Sequence, residues 1–296
     1  GSLGAGGVTV ETVARHLKRR DGVTVAAVAE ATAAGEDFDR GAKRFRVSDR
    51  LSRRSVRFRL LRLVAALEED EALDDLAASA ALSSAEARAR LKRALASYFA
   101  GAVTMPYAAF RAGADDARHD MLRLGARFDA SFEQVAHRLA TLRRPGAEGV
   151  PIHFVRTDIA GNISKRFSAS GLRLPRYGGA CPRWVLHHAF ATPGRVVRQV
   201  ARLPDGEAYL FLAHADVAAP GTGPSHAVMI GAAIAHAERF ACADGLDLEA
   251  PGLAVPVGIT CRQCPRDDCS ERAFERIALP GETAGAPADD RPRSGL

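Results

Sequence analysis

The chain has 296 residues, of which 47% are hydrophobic and 26% charged, an ordinary composition for a globular protein with two sizeable cores. The formal charge of +6 comes almost wholly from arginine. Arginine suits phosphate recognition, although a chain rich in arginine and alanine can equally reflect genome composition. No apolar run is long enough to span a membrane, and we expect a cytoplasmic protein.

The first half of the chain is predicted to be mostly helical. A helix is expected from Thr9 to Arg20, stopped at Gly22, and a short strand at 23–28. Apolar residues then recur at helical spacing, at Val56, Leu60, Leu63, Val64 and Leu67.

Two further helical stretches complete this half. Ser83 and Glu86 form a capping box ahead of a strong helix that ends at Met105-Pro106. A pair of shorter helices follows, split at Phe128-Asp-Ala-Ser. The pair looks like a helix-turn-helix, but such hairpins serve as scaffold more often than they read DNA.

The second half changes to the two-residue period of strands. Strands are expected at 150–157 and 162–167, at 195–201 and 207–213, and at 225–234. The first four pair through turns that contain glycine. This half is therefore predicted to be an antiparallel sheet with a few helices, which places the chain in the α+β class.

Four cysteines indicate one metal site. Cys261, Cys264 and Cys269 form a Cys-x2-Cys-x4-Cys run, and Cys181 is the natural fourth ligand. Thiolates this close together are costly to hold unless a soft cation neutralises them. A compact triple with one distant cysteine is closer to ferredoxin ligation than to paired zinc knuckles, so the spacing favours an iron–sulfur cluster and leaves zinc as the alternative. Cys242 has no nearby partner and is expected to be a small buried hydrophobe.

Several longer stretches resemble a known family. The C-terminal half of the short-chain fatty acyl transcriptional regulators is similar to Leu139-Ala-Thr-Leu-Arg-Arg-Pro-Gly-Ala, Gly161-Asn-Ile-Ser-Lys-Arg-Phe-Ser-Ala, Gly178-Gly-Ala-Cys-Pro-Arg-Trp and the cysteine triple ending in Glu271-Arg-Ala-Phe. Ala96-Ser-Tyr-Phe-Ala-Gly-Ala-Val-Thr-Met-Pro resembles the ImmA/IrrE peptidase-like domain that precedes it. The resemblance implies a degenerate ImmA/IrrE-like helical domain at 1–145 and an effector-binding and cluster-binding domain at 146–296.

The resemblance also implies what the protein does. Family members regulate propionate (methylcitrate) and acetate (glyoxylate) metabolism in bacteria, so we expect an effector-sensing region that carries a 4Fe-4S cluster. Nearby arginines could offset the negative charge of the cluster: Arg183, Arg262, Arg266 and Arg272. A zinc-stabilised interaction module is the alternative, as is a redox or hydrolytic enzyme that uses the cysteines.

Two departures from the family pattern bear on function. ImmA/IrrE peptidases carry His-Glu-x-x-His on a helix, which supplies two zinc ligands and a general base. The corresponding helix, Phe58-Arg-Leu-Leu-Arg-Leu-Val-Ala-Ala-Leu-Glu-Glu, has no histidine, so we expect no enzymatic activity.

Such regulators normally begin with a small helix-turn-helix domain that binds promoter DNA. No segment before residue 50 is patterned to supply it, and we expect promoter binding to need that absent domain.

The family resemblance implies an effector that is an acyl-coenzyme A or a related short-chain metabolite, and the chain offers cations and apolar walls for it. Lys165 and Arg166 lie at the end of a predicted strand, and Arg143 and Arg144 lie in the preceding loop. These cations suit the phosphates of coenzyme A. Tyr98 and Phe99 are plausible walls for the acyl–pantetheine arm. The competing interpretation makes Tyr98 a core residue and the arginines solvated surface. A homo-oligomer is possible.

Overall fold

The structure is a computed structural model, and it describes residues 7–29, 32, 35–175, 179–216, 226–250 and 252–277. These residues form two compact units that divide between Ile152 and His153. Residues 235–245 belong to the first unit, although they lie late in the sequence. No helix in the described ranges is both long and apolar enough to cross a membrane.

The first unit is mostly helical, as predicted. It contains the helices α1 (Val10–Asp21), α2 (Arg53–Glu68), α3 (Asp70–Ser79), α4 (Ala85–Thr104), α5 (Tyr107–Asp116), α6 (Met121–Phe128) and α7 (Phe132–Ala140). A small sheet follows α1 and comprises β1 (Thr24–Val28), β2 (Glu36–Asp39) and β3 (Arg44–Ser48) in the order β1-β3-β2. Strand β1 runs parallel to β3, and β2 runs antiparallel to it.

The helix ends in this unit follow local chemistry. The Thr9 side chain caps α1 by accepting a hydrogen bond from the Thr12 amide, and Gly22 ends the helix with φ of 73°, a left-handed conformation that glycine adopts without strain. Ser131 opens α7 with a capping box to Gln134. The helix pair α6 and α7 is therefore divided at Phe128-Asp-Ala-Ser, as predicted. The predicted cap of α4 is wrong by one residue, since Ser84, not Ser83, accepts from the Ala87 amide.

The hairpin of β2 and β3 was not predicted. Strand β2 has the sequence Glu-Asp-Phe-Asp, and acidic residues are poor strand formers by propensity. Pairing supplies what propensity lacks, because Asp37 lies opposite Arg46 and forms an ion pair with it. Helix α3 was also missed, since only Glu69 separates it from α2.

The second unit is built on a six-stranded sheet, which confirms the predicted α+β class. Its strands are β4 (His153–Asp158), β5 (Ile163–Ser168), β6 (Val196–Arg202), β7 (Ala208–Ala215), β8 (His226–Ala233) and β9 (Val255–Pro256), in the order β5-β4-β8-β7-β6-β9. Neighbours are antiparallel except β6 and β9. One short helix, α8 (Val185–His188), contacts β6, β7 and β8.

The core of this sheet contains a buried histidine. His153 is fully buried, and its ring meets Phe211 edge-on at 5.2 Å between centroids. Its Nδ1 lies 2.9 Å from the Ser170 hydroxyl. Burial lowers the pKa of His153 to about 3, so the ring is neutral at physiological pH. Gly231 on β8 leaves room for this ring, since a Cβ there would lie 2.6 Å from both His153 Cε1 and Phe211 Cδ1.

This packing makes Gly231 a sensitive position. We expect Gly231→Ala to lower the free energy of unfolding by about 1–3 kcal/mol, the usual range for overpacking. The double variant with His153→Ala should lose less than the sum of the single changes, because the two residues collide directly. Urea denaturation measures both. Gly179→Ala is the matched control, since a Cβ there meets no atom of the described residues within 4 Å. Additive losses would contradict the assigned contact.

Candidate metal centre and effector site

The loop that carries Cys181 is bound to the segment that carries the other three cysteines. The Cys181 amide donates to the Ile259 carbonyl at 2.9 Å, and the indole nitrogen of Trp184 donates to the Gly258 carbonyl at 2.9 Å. In return the Gly258 amide donates to the sulfur of Cys181 at 3.3 Å. Trp184 is fully buried in the core of the second unit. Two segments distant in sequence are thus joined by hydrogen bonds in both directions.

The four predicted ligands line one small cavity: Cys181, Cys261, Cys264 and Cys269. Cys261 and Cys264 are held by a 3-10 turn at Cys261–Gln263. The Cys264 amide donates to the Cys261 carbonyl at 3.3 Å. Gly258 is required beside them, because a Cβ there would lie 2.8 Å from the sulfur of Cys264. All five cysteines are free thiols rather than disulfides.

The cavity is electrostatically unsuited to isolated thiolates. Burial raises the pKa of the Cys181 thiol, and the neighbouring Cys261 and Cys264 raise it further, while hydrogen bonds from the Gly258 and Arg183 backbone partly oppose the rise. A thiol in such surroundings stays protonated unless a cation compensates its charge. The donor set therefore fits a soft metal group and does not fit a reactive nucleophile.

Four cysteine thiols can hold either a zinc ion or an iron–sulfur cluster, and both need the thiols at one site. The four cysteines line one cavity. Within the described ranges, no group of three or more histidines, cysteines, aspartates or glutamates is arranged to hold a metal ion. The cavity, rather than a preformed coordination geometry, is what brings the four cysteines together.

Two arginines fix the loop that carries the cysteine triple. Arg272 donates to the carbonyls of Cys261 (3.2 Å) and Cys264 (3.4 Å), and also to the carbonyl of Arg266. Arg266 in turn donates to the Val257 carbonyl at 3.2 Å and the Arg202 carbonyl at 2.9 Å. Both line the cysteine cavity, as does Arg183. Arg262 does not, and its guanidinium lies over the ring of Phe274 at 4.8 Å.

Cys242 lies apart from this group. It sits in a 3-10 turn at Ala241–Ala243, within the segment that belongs to the first unit. It is partly exposed rather than the buried hydrophobe expected from the sequence.

The first unit contains a second feature with ligand-binding chemistry. Arg138 is only 3% exposed, and its guanidinium lies over the rings of Tyr98 (5.5 Å) and Tyr107 (5.6 Å). Its Nε donates to the Met105 carbonyl at 2.9 Å, but its Nη1 is buried and has no acceptor among the described residues. The guanidinium of Arg144 also lies over the ring of Tyr107, at 4.4 Å from the ring centroid. We call Tyr98, Tyr107, Arg138 and Arg144 the arginine–tyrosine cluster.

The other predicted effector residues are placed as follows. Tyr98 is 40% exposed, whereas Phe99 packs against the core of the first unit. Arg143 is exposed. Lys165 and Arg166 are exposed on β5, the edge strand of the second unit, and Arg166 donates to the Pro175 carbonyl at 2.5 Å. Because they are consecutive on a strand, their side chains leave opposite faces of the sheet.

Sequence reasoning missed Arg138 and Tyr107. Arg138 occupies a position where helical spacing from Val135 and Leu139 predicts an apolar residue. A charged residue on the buried face of a helix needs a partner, and this was the available signal. Trp184 and Gly258 were also not recognised as supports of the cysteine cavity.

Helix α2 carries no peptidase centre. The family resemblance makes it the counterpart of the helix that bears His-Glu-x-x-His in the peptidases, but its sequence contains no histidine. Glu68 at its end pairs with His16, at 2.6 Å, and with Arg20, at 3.2 Å. The fold and the site thus define an IrrE-like helical domain without a peptidase motif, joined to a cysteine-bearing sheet domain.

Comparisons with known proteins agree with this description. Residues 141–284 match the profile of the short-chain fatty acyl coenzyme A regulator C-terminal domain, and residues 19–140 match the IrrE N-terminal-like domain. A solved structure of a Mycobacterium tuberculosis transcriptional regulator superposes with a TM-score of 0.83 at 38% identity, covering 91% of this chain and 84% of that one. The chain belongs to the short-chain fatty acyl coenzyme A regulator family.

Curated relatives of the chain are named as regulators. It is 46% identical to the propionyl-CoA carboxylase regulator of Cereibacter sphaeroides, over 86% of this chain and 58% of that protein. It is 42% identical to the HTH-type transcriptional regulator PrpR of Mycobacterium tuberculosis, over 77% of this chain and 49% of PrpR. It is 39% identical to the HTH-type transcriptional regulator RamB of the same species, over 81% of this chain and 52% of RamB. The chain spans about half the length of the curated relatives it matches.

Arg272 provides a test of how the cysteine loop is held. We expect Arg272→Lys to loosen it, because an ammonium group cannot span three carbonyls as the guanidinium does. Amide hydrogen exchange in peptides covering 258–274 should accelerate by about tenfold, equivalent to one hydrogen bond of roughly 1.4 kcal/mol. Arg195→Lys, an exposed change outside both cysteine segments, should leave that exchange unaltered. Equal exchange in all three proteins would show that Arg272 does not hold the loop.

Proposed function

We propose that this chain is the effector-sensing region of a bacterial transcription regulator of short-chain fatty acid metabolism. In this proposal it binds an acyl-coenzyme A ligand and a 4Fe-4S cluster, and it is not an enzyme. The observation that carries the proposal is the shared cavity of four cysteines from two hydrogen-bonded segments. Full-length relatives are named as HTH-type regulators, so promoter binding is proposed for a protein that also carries a DNA-binding domain.

We favour a cluster over a single zinc ion in this cavity. The four thiols line one cavity, and a compact triple of cysteines with one distant cysteine is closer to ferredoxin ligation than to paired zinc knuckles. Cys181, Cys261, Cys264 and Cys269 would hold it. A bound cluster supplies one-electron chemistry, or a group that is lost on oxidation. The chain's own residues hold the loop: Trp184 and Arg272 bind its carbonyls, and Gly258 leaves space for the sulfur of Cys264.

The arginine–tyrosine cluster supports the acyl-coenzyme A part. A buried guanidinium with an unused N–H is costly unless an anion or another acceptor reaches it. A phosphate would accept from Arg138 Nη1, and Arg144 would add a second cation. The half-exposed face of Tyr98 offers an apolar surface beside them. Arg143 and Phe99 remain proposed contacts of this ligand in the first unit. Lys165 and Arg166, in the second unit, remain proposed acyl-coenzyme A residues supported only by their charge.

The first test concerns the metal ligands. Replacing any of Cys181, Cys261, Cys264 or Cys269 by Ala should remove or convert the cluster and destabilise the second unit, because a vacated site leaves the remaining thiolates uncompensated. Iron and acid-labile sulfide are measured on anaerobically purified variants. Cys242→Ala is the matched control and should keep the full iron content. Full iron in Cys181→Ala would remove that residue from the ligand set.

The second test concerns the effector. Propionyl-coenzyme A should bind and raise stability by roughly 2.7 kcal/mol at a hundredfold excess over its dissociation constant. Arg138→Met and Arg144→Glu should each weaken binding by about tenfold or more, since each removes a charged partner of phosphate. Arg19→Glu, on the exposed face of α1, is the control. Calorimetry with propionyl-coenzyme A, coenzyme A and free propionate distinguishes the cases, and binding of propionate alone would discard phosphate recognition.

A further inference from the structure

A cavity of about 710 Å³ lies beside the cysteine cavity in the second unit. One wall is the outer side of the cysteine loop, from Ile259 to Pro265. The other described walls are Arg173–Pro175, Pro204 and Arg276–Ile277. Thr260 and Cys264 line both cavities. The two cavities therefore share part of their walls.

The lining has a consistent chemistry. Its apolar members are Leu174, Pro175, Pro204, Ile259, Pro265 and Ile277. Its charged members are all cations, Arg173, Arg262 and Arg276, and no acidic residue is among the described lining. Arginines at the rim of an apolar pocket suit a ligand with an apolar body and an anionic group.

The volume suits a ligand larger than propionate. At about 710 Å³ the cavity falls within the roughly 300–1,000 Å³ of pockets that enclose drug-sized ligands. A propionate ion has only five heavy atoms, whereas a ten-carbon carboxylate has twelve and is closer to that size.

We infer that this cavity binds a medium-chain fatty carboxylate, with the chain against the apolar wall and the carboxylate on Arg173 and Arg262. The site is distinct from the arginine–tyrosine cluster, and the inference does not depend on the acyl-coenzyme A proposal. Because the ligand would contact Cys264, its affinity would depend on whether the cysteine cavity holds a metal group. By the same linkage, the carboxylate would change the affinity of the cavity for that group.

Calorimetry of the full chain with decanoate, decanol and coenzyme A tests this inference. Decanoate should bind, decanol should bind at least about tenfold more weakly because it lacks the charge, and coenzyme A should not compete. Arg173→Glu and Arg262→Glu should each weaken decanoate binding by about tenfold, whereas Arg195→Glu should change it by less than about twofold. These arginines are exposed, so the variants should remain folded.

Location is tested separately with a decanoate analogue that carries a photoreactive diazirine. The label should appear in peptides containing 173–175, 259–265 or 276–277. Three results would overturn the inference: no decanoate binding by the wild-type chain, equal binding by Arg173→Glu and Arg195→Glu, or labelling confined to other peptides. Displacement of decanoate by coenzyme A would show instead that the cavity belongs to the acyl-coenzyme A site, whereas failure of decanoate alone leaves that proposal standing.

Discussion

The hydrogen-bonded junction between the Cys181 loop and the Gly258 segment is the constraint on which the second unit depends. The three bonds that form it connect residues 74 to 78 positions apart. Closing so long a loop costs conformational entropy, which a few hydrogen bonds of about 1 kcal/mol each offset only in part. A cluster bonded to both segments would act as a cross-link and add what the hydrogen bonds lack. The fully buried indole of Trp184 links this junction to the core of the sheet.

The same junction explains why the cysteine loop has its particular composition. A loop of this kind exposes many carbonyls, and the sheet offers few donors to them. Arg272 and Arg266 supply those donors from within the loop itself. Gly258 is required for a different reason, the close approach of the Cys264 sulfur. The arginines expected to balance the charge of a cluster therefore also have a structural role, except Arg262, which lies over Phe274.

A sensor needs each ligand to favour one conformation of the regulator by a difference in binding free energy. The arginine–tyrosine cluster provides a physical source for such a difference. Arg138 is packed between two tyrosines while one of its N–H groups has no acceptor among the described residues. An anion that reaches this group would stabilise the packed arrangement over any other. Helix α2 contains no histidine and so does not supply the two histidine ligands that a zinc peptidase motif places on one helix.

Local signals predicted much of the fold, and non-local contacts account for most of what was missed. The helix α1 and the split between α6 and α7 follow from caps and glycine, which act within a few residues. The hairpin of β2 and β3 depends on cross-strand pairs such as Asp37 with Arg46, which no local pattern reveals. For the site, cysteine spacing sufficed to group four thiols that line one cavity. Arg138 could be placed only by knowing which face of α7 is buried.

The most direct measurement is the metal content of the wild-type chain purified without oxygen. The cluster account predicts a brown protein with about four iron and four acid-labile sulfide per chain, as a 4Fe-4S cluster requires. A colourless protein with one zinc per chain and no iron would contradict it, and would assign the four cysteines to a structural zinc site instead.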